Sequence, residues 1–176
     1  MVAVGLPHDV TQRGNNRQKV FFSDTDRRLY LAPPQTHSRR WMGWCLMPNH
    51  VHLIALPRRE NSLAKALGRT HHDYVVYLNL RRRQSGHLWQ NRFYSTALDR
   101  AHLHAALRYV DLNPVRARLI DDACAYQWSS AAAHVHGVDR EGLLDLEWWK
   151  ELCPLNDWAR ALKESHEVEE QDEKIR

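Results

Sequence analysis

The segment from residue 41 to residue 56 constrains the fold most, because Pro48-Asn49 divides it into two apolar stretches. Each stretch has the length of a β-strand, and Pro favours the second position of a tight turn. We therefore expect a β-hairpin with strands over 41–47 and 50–56. Shorter strands are expected over 7–12 and 92–98, the first of them ending in an Arg-Gly-Asn-Asn-Arg loop.

Helical patterns fill the chain between the expected strands. Pro33-Pro34 should end the first helix early, because Pro cannot continue a helix and disfavours helical geometry in the residue before it. Strands interleaved with helices predict an α+β fold. The expected helices are a short one from about Asp24, a long one from Ser62 to about Arg82 with Asn61 or Ser62 as N-cap, one from Ala101 to Asn113 closed by Pro114, and two peripheral ones over 128–136 and 146–163.

Charge is divided unevenly along the chain. Residues 1–120 contain 19 Lys and Arg against 7 Asp and Glu, whereas residues 121–176 contain 6 against 14. A basic segment of this size favours a polyanionic partner, because Lys and Arg neutralise phosphates and release their counterions. A solubilising surface is the alternative. We expect one domain over 1–136, a peripheral helical extension over 137–163, and an acidic, disordered tail over 164–176.

Composition excludes several classes of protein. Cys45, Cys124 and Cys153 form no C-x-x-C pair, so neither a zinc knuckle nor a disulfide framework is expected. The sequence has no apolar run long enough to span a bilayer and no basic-then-apolar N-terminus. We therefore expect a cytoplasmic protein without a membrane partner.

Only one of the three His-x-His patterns suits a metal ion. In a strand, side chains two residues apart point to the same face, whereas in a helix they diverge by about 200°. His50 and His52 lie in an expected strand, so both imidazoles can reach one ion. An ordinary pair of histidines on a polar sheet face is the alternative. The other two patterns fall in expected helices and consist of His102 with His104 and His134 with His136.

Tyr109 differs from the other five tyrosines in the identity of the residue four positions after it, which is one helical turn along the chain. Side chains four positions apart share a helix face, and for Tyr109 that neighbour is Asn113, whose amide oxygen can bind a metal. Arg108, Arg116 and Arg118 place positive charge nearby for a phosphate. A tyrosine oxygen in such a setting is a candidate nucleophile for phosphorus. A ring packed in the core with a local hydrogen bond is the alternative interpretation.

Four ordered segments resemble one known family. Residues 43–54 read Gly-Trp-Cys-Leu-Met-Pro-Asn-His-Val-His-Leu-Ile and resemble the HUH motif of single-tyrosine transposases. Segments 10–17, 86–93 and 108–117 are similar, in the same order, to further signatures of the REP-associated tyrosine transposases, which belong with the IS200-like transposases. The resemblance extends from about residue 7 to residue 136.

This resemblance implies the HUH endonuclease fold, a ferredoxin-like antiparallel sheet with helices packed on it. It implies that His50, His52 and Asn113 bind Mg²⁺ or Mn²⁺ and that Tyr109 is the nucleophile. Ligand chemistry alone favours zinc or manganese, since imidazole is a poor ligand for Mg²⁺. The family cleaves and rejoins single-stranded DNA at REP-type hairpins through a 5′-phosphotyrosine intermediate. It uses no nucleotide cofactor, and its REP-associated members act as monomers rather than homodimers.

Contacts with DNA phosphates or exposed bases are expected from arginines in or near these segments. For each of them, a solvated surface charge is the alternative. The candidates are Arg13, Arg17, Arg81, Arg82, Arg83, Arg92, Arg108 and Arg116.

The sequence departs from the family pattern between Leu31 and Trp44. The family has a longer helix and a fuller strand there, whereas this chain has Pro33-Pro34 and is several residues shorter. We therefore expect a shortened first helix and a damaged second strand. A second functional hypothesis follows from this departure: a catalytically impaired relative that binds hairpin DNA without cutting it.

Overall fold

The hairpin around Pro48-Asn49 is present, and two further strands complete its sheet. The computed structural model describes residues 2–32, 41–153 and 157–165. Within them the strand order is β2-β3-β1-β4, and neighbouring strands are antiparallel. The antiparallel sheet and the α+β class are confirmed. The strands are β1, His8–Arg13; β2, Trp41–Met47; β3, His50–Ala55; and β4, Tyr94–Ala97.

Six α-helices lie in the described part of the chain. The first is stabilised by a capping box, in which Ser23 accepts from the Asp26 backbone amide and the Asp26 carboxylate accepts from the backbone of Ser23. No described helix is both long and apolar enough to cross a membrane. The helices are α1, Asp24–Leu31; α2, Ser62–Arg82; α3, Arg100–Arg116; α4, Ala131–His136; α5, Leu146–Leu152; and α6, 157–165.

Helix α3 continues through Pro114, so the expectation that Pro114 closes it is wrong. Proline removes one backbone donor, but the bond from the Ala117 amide to the Asn113 carbonyl forms at 3.0 Å. The flanking residues Leu112 and Val115 are buried, and their packing offsets the lost bond. Asn113 therefore stays within the helix. The single helix expected over 146–163 is also wrong, because α5 ends at Leu152 and α6 begins at residue 157.

Helices cover both faces of the sheet. On one face, Val10 of β1 is buried in a cluster that includes Tyr30 of α1 and Tyr74 of α2. The opposite face, here called the α3 face, packs against α3 in a second cluster that includes Ile54 and Leu107. Gly43 of β2 lets α3 approach closely, since a Cβ there would lie 2.7 Å from Leu107 Cδ2.

Strand β2 covers the whole stretch 41–47 that the sequence assigns to it, so within the described residues it shows no damage. It spans seven residues, all of them buried. Its outer edge is covered by the C-terminal part of the chain: the Leu46 amide donates to the Trp128 carbonyl at 2.8 Å, and the Ser130 amide donates to the Trp44 carbonyl at 2.9 Å. Helix α1 is short, as expected. Pro33-Pro34 and most of the acidic tail lie outside the described residues.

Candidate active site

His50 and His52 project from β3 onto the α3 face, as strand alternation predicts. Their ring centres are 5.0 Å apart, with the ring planes at 83° to each other. Both side chains are almost entirely buried. Two imidazoles at this separation have room for one small cation between their ring nitrogens.

The ring of His50 is oriented by the turn that precedes it. Its Nδ1 lies 2.6 Å from Asn49 Oδ1, and because an amide oxygen only accepts, Nδ1 carries the proton. Nε2 is then the nitrogen that carries the lone pair. Burial, followed by repulsion from His52 and Arg13, lowers the pKa of His50 to about 4, although a hydrogen bond with Asn113 opposes the shift. His50 is therefore neutral near pH 7, as metal binding requires.

His52 is oriented by its neighbour strand β1. Its Nδ1 lies 3.2 Å from Thr11 Oγ1 and 3.9 Å from Asp9 Oδ1. The register explains this placement, because Thr11 is the Cα partner of His52. The same nitrogen, Nδ1, thus faces protein groups in both histidines. Such outer contacts fix the tautomer and the ring orientation of metal-binding histidines.

Helix α3 brings Tyr109 and Asn113 to the two histidines. The Tyr109 ring packs edge-on against His52, with ring centres 5.5 Å apart and planes at 76°. Asn113 is buried and lies close enough to His50 to act on that histidine's pKa, against the larger effect of burial. Tyr109 remains 43% exposed, so its hydroxyl is not enclosed in the core. The structure thus brings together the four residues that sequence spacing selected.

The donor set fits a divalent cation, although not a cluster of acidic ligands. Within residues 2–32, 41–153 and 157–165, no three His, Cys, Asp or Glu side chains group into a metal site. The neighbour of the two histidines that could supply a ligand of another type is Asn113, which carries an amide oxygen. Two imidazoles and one amide oxygen leave positions for phosphate oxygens on an ion that takes six ligands.

The arginines selected from the sequence differ in their surroundings. Arg116 lies 4.6 Å from the centre of the Tyr109 ring, and Arg13 is the Cα partner of His50. Arg108 is half-buried beside His104 and lowers the pKa of that histidine, after burial as the larger cause. Arg17 is exposed in the loop after β1.

The arginine run at the end of α2 is partly engaged within the protein. Arg81 donates to Asp26 Oδ1 at 2.7 Å, and the guanidinium of Arg82 stacks 4.0 Å from the ring centre of Phe22. Arg83 ends the helix in a left-handed conformation. Arg92 lines a cleft formed mainly by residues 86–92. Arg81 is thus already paired, whereas Arg83 and Arg92 are exposed.

Sequence reasoning missed the groups that orient the histidines. Asn49 was interpreted only as a turn residue, although its position directly before His50 was a usable signal. Thr11 gave no signal, because its contact with His52 depends on the pairing of strands 41 residues apart in sequence. Contacts of this kind depend on the register in which strands pair, and the sequence of one strand does not specify that register.

Comparisons with known proteins identify the family and the fold. The model of the family described as transposase IS200-like matches residues 8–113. The fold is similar to that of a solved REP-associated tyrosine transposase bound to a REP hairpin, with a TM-score of 0.65 and 18% identity, covering 84% of this chain and 87% of that one. At this identity the likeness concerns the fold. The search of curated proteins finds no match.

Proposed function

Because the chain belongs to the IS200-like transposase family, we propose that it cleaves and rejoins single-stranded DNA through Tyr109. The observation that carries the proposal is the meeting of Tyr109 and Asn113 with His52 and His50 on one sheet face. The four residues come from two segments that are distant in sequence. Their convergence favours the interpretation as a reaction centre rather than as a set of unrelated surface groups.

The proposed chemistry is a transesterification at one phosphate. The Tyr109 oxygen attacks phosphorus in line with the leaving group, forming a 5′-phosphotyrosine bond as the bond to the 3′ oxygen breaks. The phenolic proton is lost to solvent or a base, and the departing oxygen gains one to become a 3′-hydroxyl. Attack by a 3′-hydroxyl on the phosphotyrosine reverses these steps and rejoins DNA, so no nucleotide cofactor is consumed.

The proposed metal site consists of His50, His52 and Asn113. When bound there, Mg²⁺ or Mn²⁺ would polarise the phosphate and offset the charge that develops on its oxygens. Asn49 and Thr11 hold the imidazole rings in place for that role. Arg116 places positive charge against the Tyr109 ring, where it also favours an approaching phosphate.

Hairpin DNA is the proposed substrate. The solved transposase with the similar fold is bound to a REP hairpin, and residues 1–120 of this chain are strongly basic. We propose that Arg13, Arg17, Arg83 and Arg92 contact its phosphates, and that the protein acts as a monomer. The monomer is supported by the site itself, because one chain supplies both histidines, the tyrosine and the amide.

Covalent capture tests the proposal. Purified protein is incubated with Mn²⁺ and a labelled hairpin oligonucleotide that has single-stranded flanks, and a denaturing gel shows any protein–DNA adduct. Tyr109→Phe should abolish the adduct and keep binding, whereas the matched control Tyr126→Phe, at a tyrosine whose hydroxyl bonds the Leu46 carbonyl, should still form it. EDTA should prevent adduct formation.

The alternative hypothesis, a hairpin-binding relative without cleavage, predicts a different result. The wild-type protein would then bind the oligonucleotide and give no adduct with either metal. An adduct that persists in Tyr109→Phe would remove Tyr109 from its role, and an adduct that forms in EDTA would exclude the metal.

A further inference from the structure

The α3 face is covered unevenly. Helix α3 packs on β2 and β3, where every residue of both strands is buried. On β1, the residues that point to this face are half-buried, and β4 is largely exposed. A stretch of open sheet therefore lies directly beside the two histidines.

Tyr94 lies on this open stretch, in line with the candidate active site. It is the Cα partner of Thr11, which in turn is the Cα partner of His52. Directly paired residues of antiparallel strands point to the same face, and the contact between Thr11 and His52 at 3.2 Å identifies that face. Since neighbouring strands are about 4.8 Å apart, Tyr94 is roughly 10 Å from His52 across the sheet.

The ring of Tyr94 has no evident structural role. It is 71% exposed, and no other described residue stacks on it. Tyr74 shows the contrast, because its ring is buried among Phe21, Tyr30 and Trp89. A single exposed aromatic residue is ordinary in itself, but this one stands beside a candidate reaction centre for DNA.

Two arginines near Tyr94 supply the positive charge that a single strand of DNA requires. Arg92 is exposed two residues before it, and Arg13 lies at the end of β1 opposite His50. Proteins that bind single strands combine such basic groups with aromatic rings on which bases stack, and the open sheet leaves space for a base. The half-exposed Tyr109 borders the same space.

We propose that Tyr94 is a base-stacking residue that holds a nucleotide of the single strand next to the scissile phosphate. The inference rests on the proposed function, since it takes the phosphate to lie at Tyr109. The separation from His52 places the stacked base within about three nucleotides of that phosphate. Stacking accepts any base, so Tyr94 strengthens binding without selecting the sequence.

Binding measurements test this inference apart from cleavage. All variants are made in the Tyr109→Phe background, and the probe is a fluorescent hairpin oligonucleotide with random single-stranded flanks. Tyr94→Ala should weaken binding about tenfold, the scale of one lost stacking contact. Tyr94→Phe and Tyr94→Trp keep an aromatic ring and should bind within about twofold of the parent, and Val138→Ala, which alters another exposed apolar residue, should match it.

A second probe locates the contact. The same hairpin without single-stranded flanks should bind Tyr94→Ala and the parent equally. Flanked probes that carry 5-iododeoxyuridine near the hairpin foot should crosslink to Tyr94 on irradiation, as mapped by mass spectrometry of the digested protein.

The outcomes separate the two proposals. The stacking role is overturned if Tyr94→Ala binds the flanked probe as tightly as its parent. It is also overturned if the alanine and phenylalanine variants lose the same binding affinity. Both results count against it even if wild-type protein forms the adduct. Weaker binding by Tyr94→Ala alone supports the stacking role, even if wild-type protein forms no adduct and the cleavage proposal fails.

Discussion

Helix α3 carries two groups of polar residues whose surroundings are opposite. Tyr109 and Asn113 reach the histidine pair, where Tyr109 is 43% exposed and Nδ1 of His50 is held by Asn49. Asp111, between them in sequence, is fully buried on another side of the helix. One helix thus presents an open polar site and a closed polar cluster.

The closed cluster is centred on the Asp111 carboxylate. Its Oδ1 accepts from Ser130 Oγ at 2.8 Å, and its Oδ2 lies 2.7 Å from His134 Nδ1 and 2.9 Å from Trp158 Nε1. The other ring nitrogen of His134 lies 2.9 Å from the Met42 carbonyl. Each of these polar groups has a partner inside the protein, so the cluster has no free capacity for a ligand.

The comparison shows how two histidines from similar His-x-His patterns come to differ. His134 is stacked on Trp149, with ring centres 4.1 Å apart, and both of its nitrogens face acceptors. His50 has its Nδ1 held by Asn49, and its other polar neighbour is Asn113, itself a proposed metal ligand. Complete satisfaction indicates a structural role, whereas a partly satisfied, oriented group beside exposed residues indicates a site for chemistry.

The strongest test of this distinction removes the centre of the closed cluster. Asp111→Ala leaves the donors of His134 and Trp158 buried without an acceptor, and it should lower the free energy of unfolding by about 3–5 kcal/mol. Urea denaturation followed by tryptophan fluorescence measures the change. Asp73→Ala, which removes an exposed carboxylate, should have a far smaller effect. Equal stability of these two variants would contradict a structural role for the cluster.

The open site should respond in the opposite way. Asn49→Ala removes the acceptor that orients His50, and it should weaken Mn²⁺ affinity about 10- to 100-fold, the usual range for outer contacts of metal ligands. Its effect on stability should be well below that of Asp111→Ala. Mn²⁺ titration of adduct formation and urea denaturation provide both measurements.

A control variant that also loses one side-chain hydrogen bond tests whether the change in Mn²⁺ affinity is specific to Asn49. Asn79→Ala removes a side-chain bond to the Gly86 carbonyl at the end of α2, and it should leave the Mn²⁺ titration unchanged. If Asn49→Ala also leaves the titration unchanged, then the turn does not prepare His50 for a metal.

The candidate site could be predicted from sequence because each half of it is local. Strand alternation put His50 and His52 on one face, and helical spacing put Asn113 beneath Tyr109. The hairpin was also local, since Pro48-Asn49 marked its turn. These are the features that a single stretch of chain specifies without reference to the rest of the molecule.

Features that depend on distant packing could not be predicted. The hydrogen-bond partners of Asp111 lie 19, 23 and 47 residues later in the chain. No local sequence pattern predicts these contacts. The same packing overrode the local rule at Pro114, where buried neighbours keep α3 intact. The position of Tyr94 beside His52 depends on the register of three strands, which side-chain patterns leave open.

Arg116 provides the test with the smallest expected effect, because it contacts Tyr109 from the exposed side of α3. Its guanidinium stacks on Tyr109 while its side chain is exposed, and a cation over an aromatic ring at an exposed site is worth about 0.5–1 kcal/mol. Arg116→Gln should therefore slow adduct formation about two- to fivefold, and Arg116→Lys should recover part of the rate. Arg100→Gln, at the start of the same helix, should react at the wild-type rate. A loss as complete as that in Tyr109→Phe would instead assign Arg116 to the reaction itself, and an unchanged rate would leave it as a surface charge.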